Sequence, residues 1–212
     1  MDQFEEDQQQ CLFTIGHSTH SLEAFVELLK HHAIDVLVDS RSSPYSRHVP
    51  HFNKEMLQAT LKAAGIKYVY LGKELGGRPE GEEYYDAEGF ALYYRVAESA
   101  FFQAGIARLE KGLRQYRVAI MCSEEDPHGC HRRLLVGRVM ARRGVKIRHI
   151  RGDGTVQPDA VLQEGMYEQG TLFEMPEDNT WKSLRSVLPR RQPLSSLDSS
   201  NAIESSDWSM SD

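Results

Sequence analysis

The feature that most constrains this chain is the alternation of short apolar runs with segments of helical period. Cys11-Leu-Phe-Thr-Ile15, Val36-Leu-Val38, Ile66 to Leu71, Arg117 to Met121 and Val145 to Ile150 each read as a strand. Between them, Ser21 caps a helix carrying Leu22, Phe25, Leu28 and Leu29 at helical spacing. Asn53 caps a second, with Met56, Leu57 and Leu61 on one face and Gly65 at its end. Phe90 to Tyr116 is a helical region, expected to break near Gly105. Asp126-Pro127 opens a last helix that runs to Arg143, with Leu134, Leu135, Val139 and Met140 inward and Gly144 closing it. Strands alternating with helices demand right-handed crossovers, hence a parallel sheet covered on both faces. The unbroken runs Val36-Leu-Val38 and Val118-Ala-Ile-Met121 suit strands buried on both sides. The expected fold is α/β and Rossmann-like, with roughly five strands over residues 11–153. An irregular extension over 154–192 and a disordered, Ser- and Asp-rich tail over 193–212 are expected to follow.

With 212 residues, 40% of them hydrophobic, the chain is long enough for one real core. No run is apolar enough to span a bilayer, so no membrane role is expected. Met1 to Gln10 is acidic and Gln-rich rather than basic and then apolar, which predicts a cytoplasmic protein. Three cysteines in such a chain do not suggest a disulfide framework, and Cys122 and Cys130 are expected as reduced thiols. The net charge of -6 argues against a general nucleic-acid coat. Yet Cys130 to Arg151 holds Arg132, Arg133, Arg138, Arg142, Arg143, Lys146, Arg148 and Arg151 with no acid among them. This stretch reads either as an anion- or nucleic-acid-attracting face or as a solvated helix face.

In open α/β sheets ligands bind beyond the carboxyl ends of the strands. The polar residues that follow each strand are therefore the candidates. They are Gly16-His-Ser-Thr19, Asp39-Ser-Arg41, Glu74 with Gly76-Gly-Arg78, Cys122-Ser-Glu124, and Cys130-His-Arg132 at the next helix. His17 suits acid–base work or anion donation, or simply a loop carbonyl. Asp39 and Arg41 suit either a bidentate pair that fixes the site, or a division of labour in which Arg41 holds a phosphate and Asp39 handles a proton. Gly76-Gly77 permits close backbone approach, with Arg78 as an anion clamp, although a tight turn needs the same residues. Cys130, near a helix start, can be a nucleophile assisted by His17 or His131. Cys122 and Cys130 can equally be two packed thiols. Cys122, Cys130, His17 and His131 suit metal ligation in residue type, but no compact ligand pair such as Cys-x-x-Cys is present, so no metal is expected. Arg132 in the first helical turn reads as an anion holder or as a brace for the Glu124 to Asp126 loop. Pro44 to His51 reads as a lid or a plain surface loop.

These residues carry a resemblance. Thr14-Ile-Gly-His-Ser18, Asp39-x-Arg41-x-x-Pro44, Phe52-Asn-Lys54, Leu75-Gly-Gly-Arg78 and Met121-Cys-x-Glu-x-Asp-Pro-x-x-Cys-His-Arg132 strongly resemble the domain of unknown function 488 family, over about Leu12 to Gly152. The resemblance implies the fold class and the site positions but no reaction. Ser40 departs from it, standing where an apolar residue is expected, and that departure is expected to touch packing alone.

The residues thus fit two functional classes. One is an enzyme acting on a phosphorylated, nucleotide or nucleic-acid substrate, with His17, Asp39, Cys122, Cys130 and His131 as catalytic candidates and Arg41, Arg78 and Arg132 as anion holders. The other is a non-catalytic ligand-binding or DNA-repair-associated module. The sequence leaves the cofactor unknown. Gln169-Gly-Thr-Leu-Phe173 resembles the peptide by which bacterial repair and replication proteins dock on the sliding clamp, with Leu172 and Phe173 as anchors, but the favoured reading is a C-terminal segment packing these two residues back on the domain. The same pattern occurs in Gln9-Gln-Cys-Leu-Phe13, which runs into the first strand and is expected to be buried.

Overall fold

The computed structural model describes residues 10–162 and 181–188. Among them, six strands form one sheet in the order β3-β2-β4-β1-β5-β6. The strands are β1 (Cys11–Gly16), β2 (Val36–Asp39), β3 (Lys67–Tyr70), β4 (Val118–Cys122), β5 (Lys146–Ile150) and β6 (Val156–Pro158). The first five run parallel, and β6 pairs antiparallel with β5. The sheet thus continues past Asp153, because the turn at Gly154 (φ +88°) folds the chain back along the edge of β5.

The pleat sends alternate side chains to opposite faces, and each face has its own apolar layer. Phe13, Ile15, Leu37, Ala119 and Met121 meet α1 (Leu22–His31) and α2 (Lys54–Ala63). Leu12, Val36, Val38, Val118 and Ile120 face α4 (Tyr93–Glu98), α5 (Ala100–Leu113) and the helix that follows β4. Fully buried Phe25, Leu29, Leu57 and Leu61 each contribute about 1.5–3 kcal/mol to the first layer.

Local signals decide where the helices start and stop. The Ser21 hydroxyl accepts the Ala24 N–H at 3.2 Å, and Gly65 (φ +77°) and Gly144 (φ +84°) follow helix ends in the left-handed conformation. Three helix expectations need correction. Met56 does not face inward, since it is 55% exposed. The long helical region breaks at Ser99, whose hydroxyl accepts the Phe102 N–H, rather than near Gly105. Gly105 lies inside α5, packed on the short helix α3 (Gly72–Leu75), where an added Cβ would fall 2.7 Å from Glu74 Cβ. Finally, Asp126-Pro127 forms a turn, and helix begins only at His131. It continues as a π-helical stretch, Arg132–Gly137, before α6 (Arg138–Arg142). Such π stretches recur at functional sites.

Residues 181–188 return to the domain. Trp181 is buried in the α4/α5 layer, and its indole N–H donates to the Leu134 carbonyl at 2.8 Å. No described helix is long and apolar enough to cross a membrane. Leu12 and Phe13 are buried in β1, as the strand reading required. Gln169, Leu172 and Phe173 lie outside the described residues.

Candidate functional site

The strand order sets β2, β4 and β1 side by side, with Asp39 opposite Met121 and Gly16 opposite Cys122. Their carboxyl ends therefore meet at one level. The pleat then divides the candidates between the two faces: Asp39 points with Leu37 and Met121, while Ser40 and Cys122 follow Val38 and Ile120 to the other side.

On the α1/α2 side, Asp39 and Arg41 form a buried fork. Arg41 Nε donates to Asp39 Oδ1 at 2.9 Å and its Nη2 to Oδ2 at 2.7 Å. The carboxylate also accepts the Arg41 backbone N–H and the Tyr68 hydroxyl. Arg41 further donates to the Phe52 carbonyl, and Phe52 stacks on His17 with ring centroids 4.4 Å apart. His17 Nδ1 lies 2.9 Å from the Ser18 carbonyl, which can only accept, so Nδ1 carries the proton. The bare Nε2 then faces Arg41 Nη1 at 3.3 Å. Burial, with the Arg41 charge in support, pushes the His17 pKa down to about 4. His17 is a neutral acceptor at neutral pH, already engaged by Arg41. The Pro44 to His51 loop is folded beside this cluster. Ser46 N–H donates to the Asn53 side chain, and His51 Nε2 donates to the His20 carbonyl.

On the opposite side Cys122, Cys130 and His131 come together. His131 Nδ1 lies 3.6 Å from Cys122 Sγ and 3.8 Å from Cys130 Sγ. His131 Nε2 faces the Ser40 carbonyl at 3.1 Å and the Ser40 hydroxyl at 3.2 Å. The carbonyl requires an N–H at Nε2, so the Nδ1 lone pair points at the thiols. Ser40 Oγ in turn donates to the Met121 carbonyl at 2.8 Å. Ser40 is thus more than a packing departure, because its side chain reaches His131. The two thiols differ. Cys122 is the more acidic, since the Cys130 S–H donates to it and His131 and Arg132 lie close, together outweighing burial. Burial, and the donation to Cys122, raise Cys130. All three cysteines are free thiols.

Glycine lets these parts approach. A Cβ at Gly77 would stand 2.8 Å from His131 Cγ, and one at Gly16 would overlap the Glu124 carbonyl. Gly77 therefore lies against the His131 ring, and the adjacent Arg78 is exposed. Of the three arginines read from the sequence as anion holders, Arg41, Arg78 and Arg132, Arg78 alone faces solvent.

Arg132 is wholly buried and has no face toward solvent. Its Nε donates to Thr14 Oγ1 at 3.2 Å, Nη2 donates to the Glu125 carbonyl at 2.5 Å, and Nη1 donates to the Glu124 carbonyl. This geometry braces the loop after β4 from inside. The sequence reading missed the network behind it. Thr14, accepting from Arg132, donates to His149 Nδ1 at 2.8 Å, and His149 Nε2 donates to Asp159 Oδ1 at 3.1 Å. Asp159 also pairs with Arg133. Burial lowers the His149 pKa despite Asp159 beside it. The one available signal was parity: Thr14 stands in the otherwise apolar run of β1, and His149 shares with Ile147 the buried parity of β5, in register with Thr14.

The basic stretch is largely turned inward or paired. Arg143 binds Glu110, Arg151 binds Glu125, and Arg138 lies over the Trp181 ring. A shallow cleft of about 570 Å³ opens at the β5–β6 turn, lined by Glu125, Arg151, Gly152, Asp153 and Thr155 among others. Of the residues named from the sequence it includes Arg151 of the basic stretch, but none of the catalytic or anion-holding candidates at the strand ends.

No curated protein and no solved structure matches the chain. A family model does, over residues 21–139, more than half of the chain. That span takes in Asp39, Arg41, Arg78, Cys122, Cys130, His131 and Arg132, and stops short of His17. The chain belongs to the family described as Domain of unknown function DUF488.

Proposed function

We propose that this protein is an enzyme whose nucleophile is Cys122 and whose base is His131, acting on a small phosphorylated or nucleotide-like substrate that reaches the site past Arg78. The observation that carries the reading is the Cys122–His131 contact of 3.6 Å, with the far ring nitrogen fixed by the Ser40 carbonyl. A nucleophile, a base within reach of it and a third group orienting the base are the parts of nucleophilic catalysis. His131 would take the Cys122 proton on Nδ1, and the thiolate would attack the phosphorus of a phosphomonoester as the P–O bond to the alcohol breaks. The proton would pass from His131 to the departing alkoxide, and water would then hydrolyse the S–P bond to release inorganic phosphate and restore the Cys122 thiol. Asp39, Arg41 and His17 hold the neighbouring strand ends in place.

The rival reading, a non-catalytic binding module, draws support from the burial of the thiols, 7% exposed at Cys122 and 1% at Cys130. Alkylation separates the two. The reduced protein, treated with iodoacetamide at pH 7 and mapped by mass spectrometry, should be modified at Cys122 at least about tenfold faster than at Cys11. His131→Asn should abolish that preference. In parallel, phosphomonoesters and nucleotides are screened for turnover and for a covalent adduct on Cys122. Equal rates at the two cysteines, with no turnover and no adduct, would sink the enzyme reading.

A further inference from the structure

We infer that Cys122, Cys130 and His131 form a three-ligand site for a soft-to-borderline metal ion, with Zn2+ as the reference ion. The sequence offers no compact ligand pair, because Cys122 lies on β4 and Cys130-His131 beyond a seven-residue excursion, 123–129. The fold removes that separation. One ligand atom from each residue, Sγ of the two cysteines and Nδ1 of the histidine, lies within 4.8 Å of the others. The two S···N separations are 3.6 and 3.8 Å. Metal–ligand bonds of about 2.3 Å to sulfur and 2.0–2.1 Å to nitrogen at tetrahedral angles require edges of about 3.5–3.8 Å. The side chains thus need only small movements to surround an ion.

The orientation of His131 supports the assignment independently of distance. A ligating histidine usually donates its other ring N–H to a backbone carbonyl or carboxylate, which fixes its tautomer and aims the free lone pair. Nε2 does so to Ser40 O, while Nδ1 points at the two sulfurs. Gly77 against the ring restricts its rotation. Two thiolates and a neutral imidazole balance the charge of a divalent ion. Binding releases the thiol protons to solvent and leaves a fourth coordination position for water or a ligand. This inference does not rest on the nucleophile reading. With the ion bound Cys122 is a ligand, so the metal-bound and thiol-reactive forms are alternative states of one site.

The test uses the full chain, reduced and stripped of metal. Titration with Co2+ should give one ion per chain, with tetrahedral d–d bands and thiolate-to-cobalt charge transfer, and one equivalent of Zn2+ should bleach both. Cys122→Ser and Cys130→Ser should each weaken Zn2+ binding, measured by chelator competition, at least about 100-fold. Cys11→Ser should leave it unchanged. If a serine variant fails to fold, the wild type still decides, since Zn2+ should protect Cys122 and Cys130, but not Cys11, from iodoacetamide. Failure of Zn2+ to bind, octahedral Co2+ spectra, or unprotected Cys122 and Cys130 would overturn the inference. Fast Cys122 alkylation without Zn2+ binding leaves the nucleophile standing alone. Tight Zn2+ binding with slow alkylation of the metal-free protein leaves the metal site standing alone.

Discussion

The three arginines singled out from the sequence, Arg41, Arg78 and Arg132, do different work here, and burial explains the difference. Arg41 is forked on Asp39, Arg132 is forked on two loop carbonyls, and Arg78 faces water. A guanidinium presents five donors in a fixed plane, so it can hold two carbonyls and a hydroxyl at once, which a lysine ammonium cannot match in geometry. Arg132→Ala should therefore cost about 3 kcal/mol or more, because the Glu124 and Glu125 carbonyls and Thr14 each lose a charged donor inside the protein. Arg132→Lys should recover only part of this. The check is urea unfolding with and without added phosphate. The bracing role predicts the same loss in both, whereas a loss that appears only as a missing phosphate-induced stabilisation would restore Arg132 as an anion holder. At Ser40 the residue scale reverses an expectation. A position that should matter for packing bonds directly to the histidine of the site.

At the scale of elements, α5 shows how packing overrides propensity. Alanine is favoured over glycine inside a helix by about 1 kcal/mol, so Gly105→Ala judged on α5 alone should stabilise. The α3 contact decides otherwise, because the new Cβ would lie 2.7 Å from Glu74 Cβ and 2.8 Å from Leu75 Cδ2. Neither helix can yield freely: α3 carries Gly76-Gly77 toward His131, and Arg108 of α5 pairs with Glu74. Overpacking of this kind costs about 1–3 kcal/mol, so Gly105→Ala should be net destabilising. Thermal unfolding reads the sign. Since α3 leads to Gly77, the same variant should also alter Cys122 alkylation, unlike Gly112→Ala, which has open space around its Cβ apart from Val118 at 3.8 Å. The helix after β4 shows the complementary effect. Asp126-Pro127 carries a good starting signal, yet helix waits until His131. The intervening turn delivers Cys130 and His131 to Cys122.

For the whole molecule, buried neutral histidines set the response to acid. His17 has a folded pKa lowered to about 4, and that of His149 is lowered as well, while in the unfolded chain both return to about 6.5. Between these values the unfolded state binds more protons, so stability is full above pH 6.5 and falls as the pH drops through the unfolded pKa. His17 alone accounts for about 2 kcal/mol of loss between pH 7 and pH 5. The midpoint of urea unfolding should fall accordingly over that range, and His17→Gln should flatten the slope. A wild-type midpoint equal at pH 7 and pH 5 would contradict the burial of both histidines. The alternation of short apolar runs with segments of helical period determined the α/β class, the parallel β1 to β5, and which polar residues stand at carboxyl ends. These are local properties of the chain, readable because each strand and helix must bury its own apolar side. The tertiary structure decided the order β3-β2-β4-β1-β5-β6, which depends on crossovers spanning dozens of residues. It decided through the pleat that Asp39 and Ser40, adjacent in sequence, serve different clusters on opposite faces. And it brought Ser40 to His131, 91 positions away, and Thr14 to His149, 135 away. No local period encodes such meetings, because they follow from the packing of whole elements against one sheet.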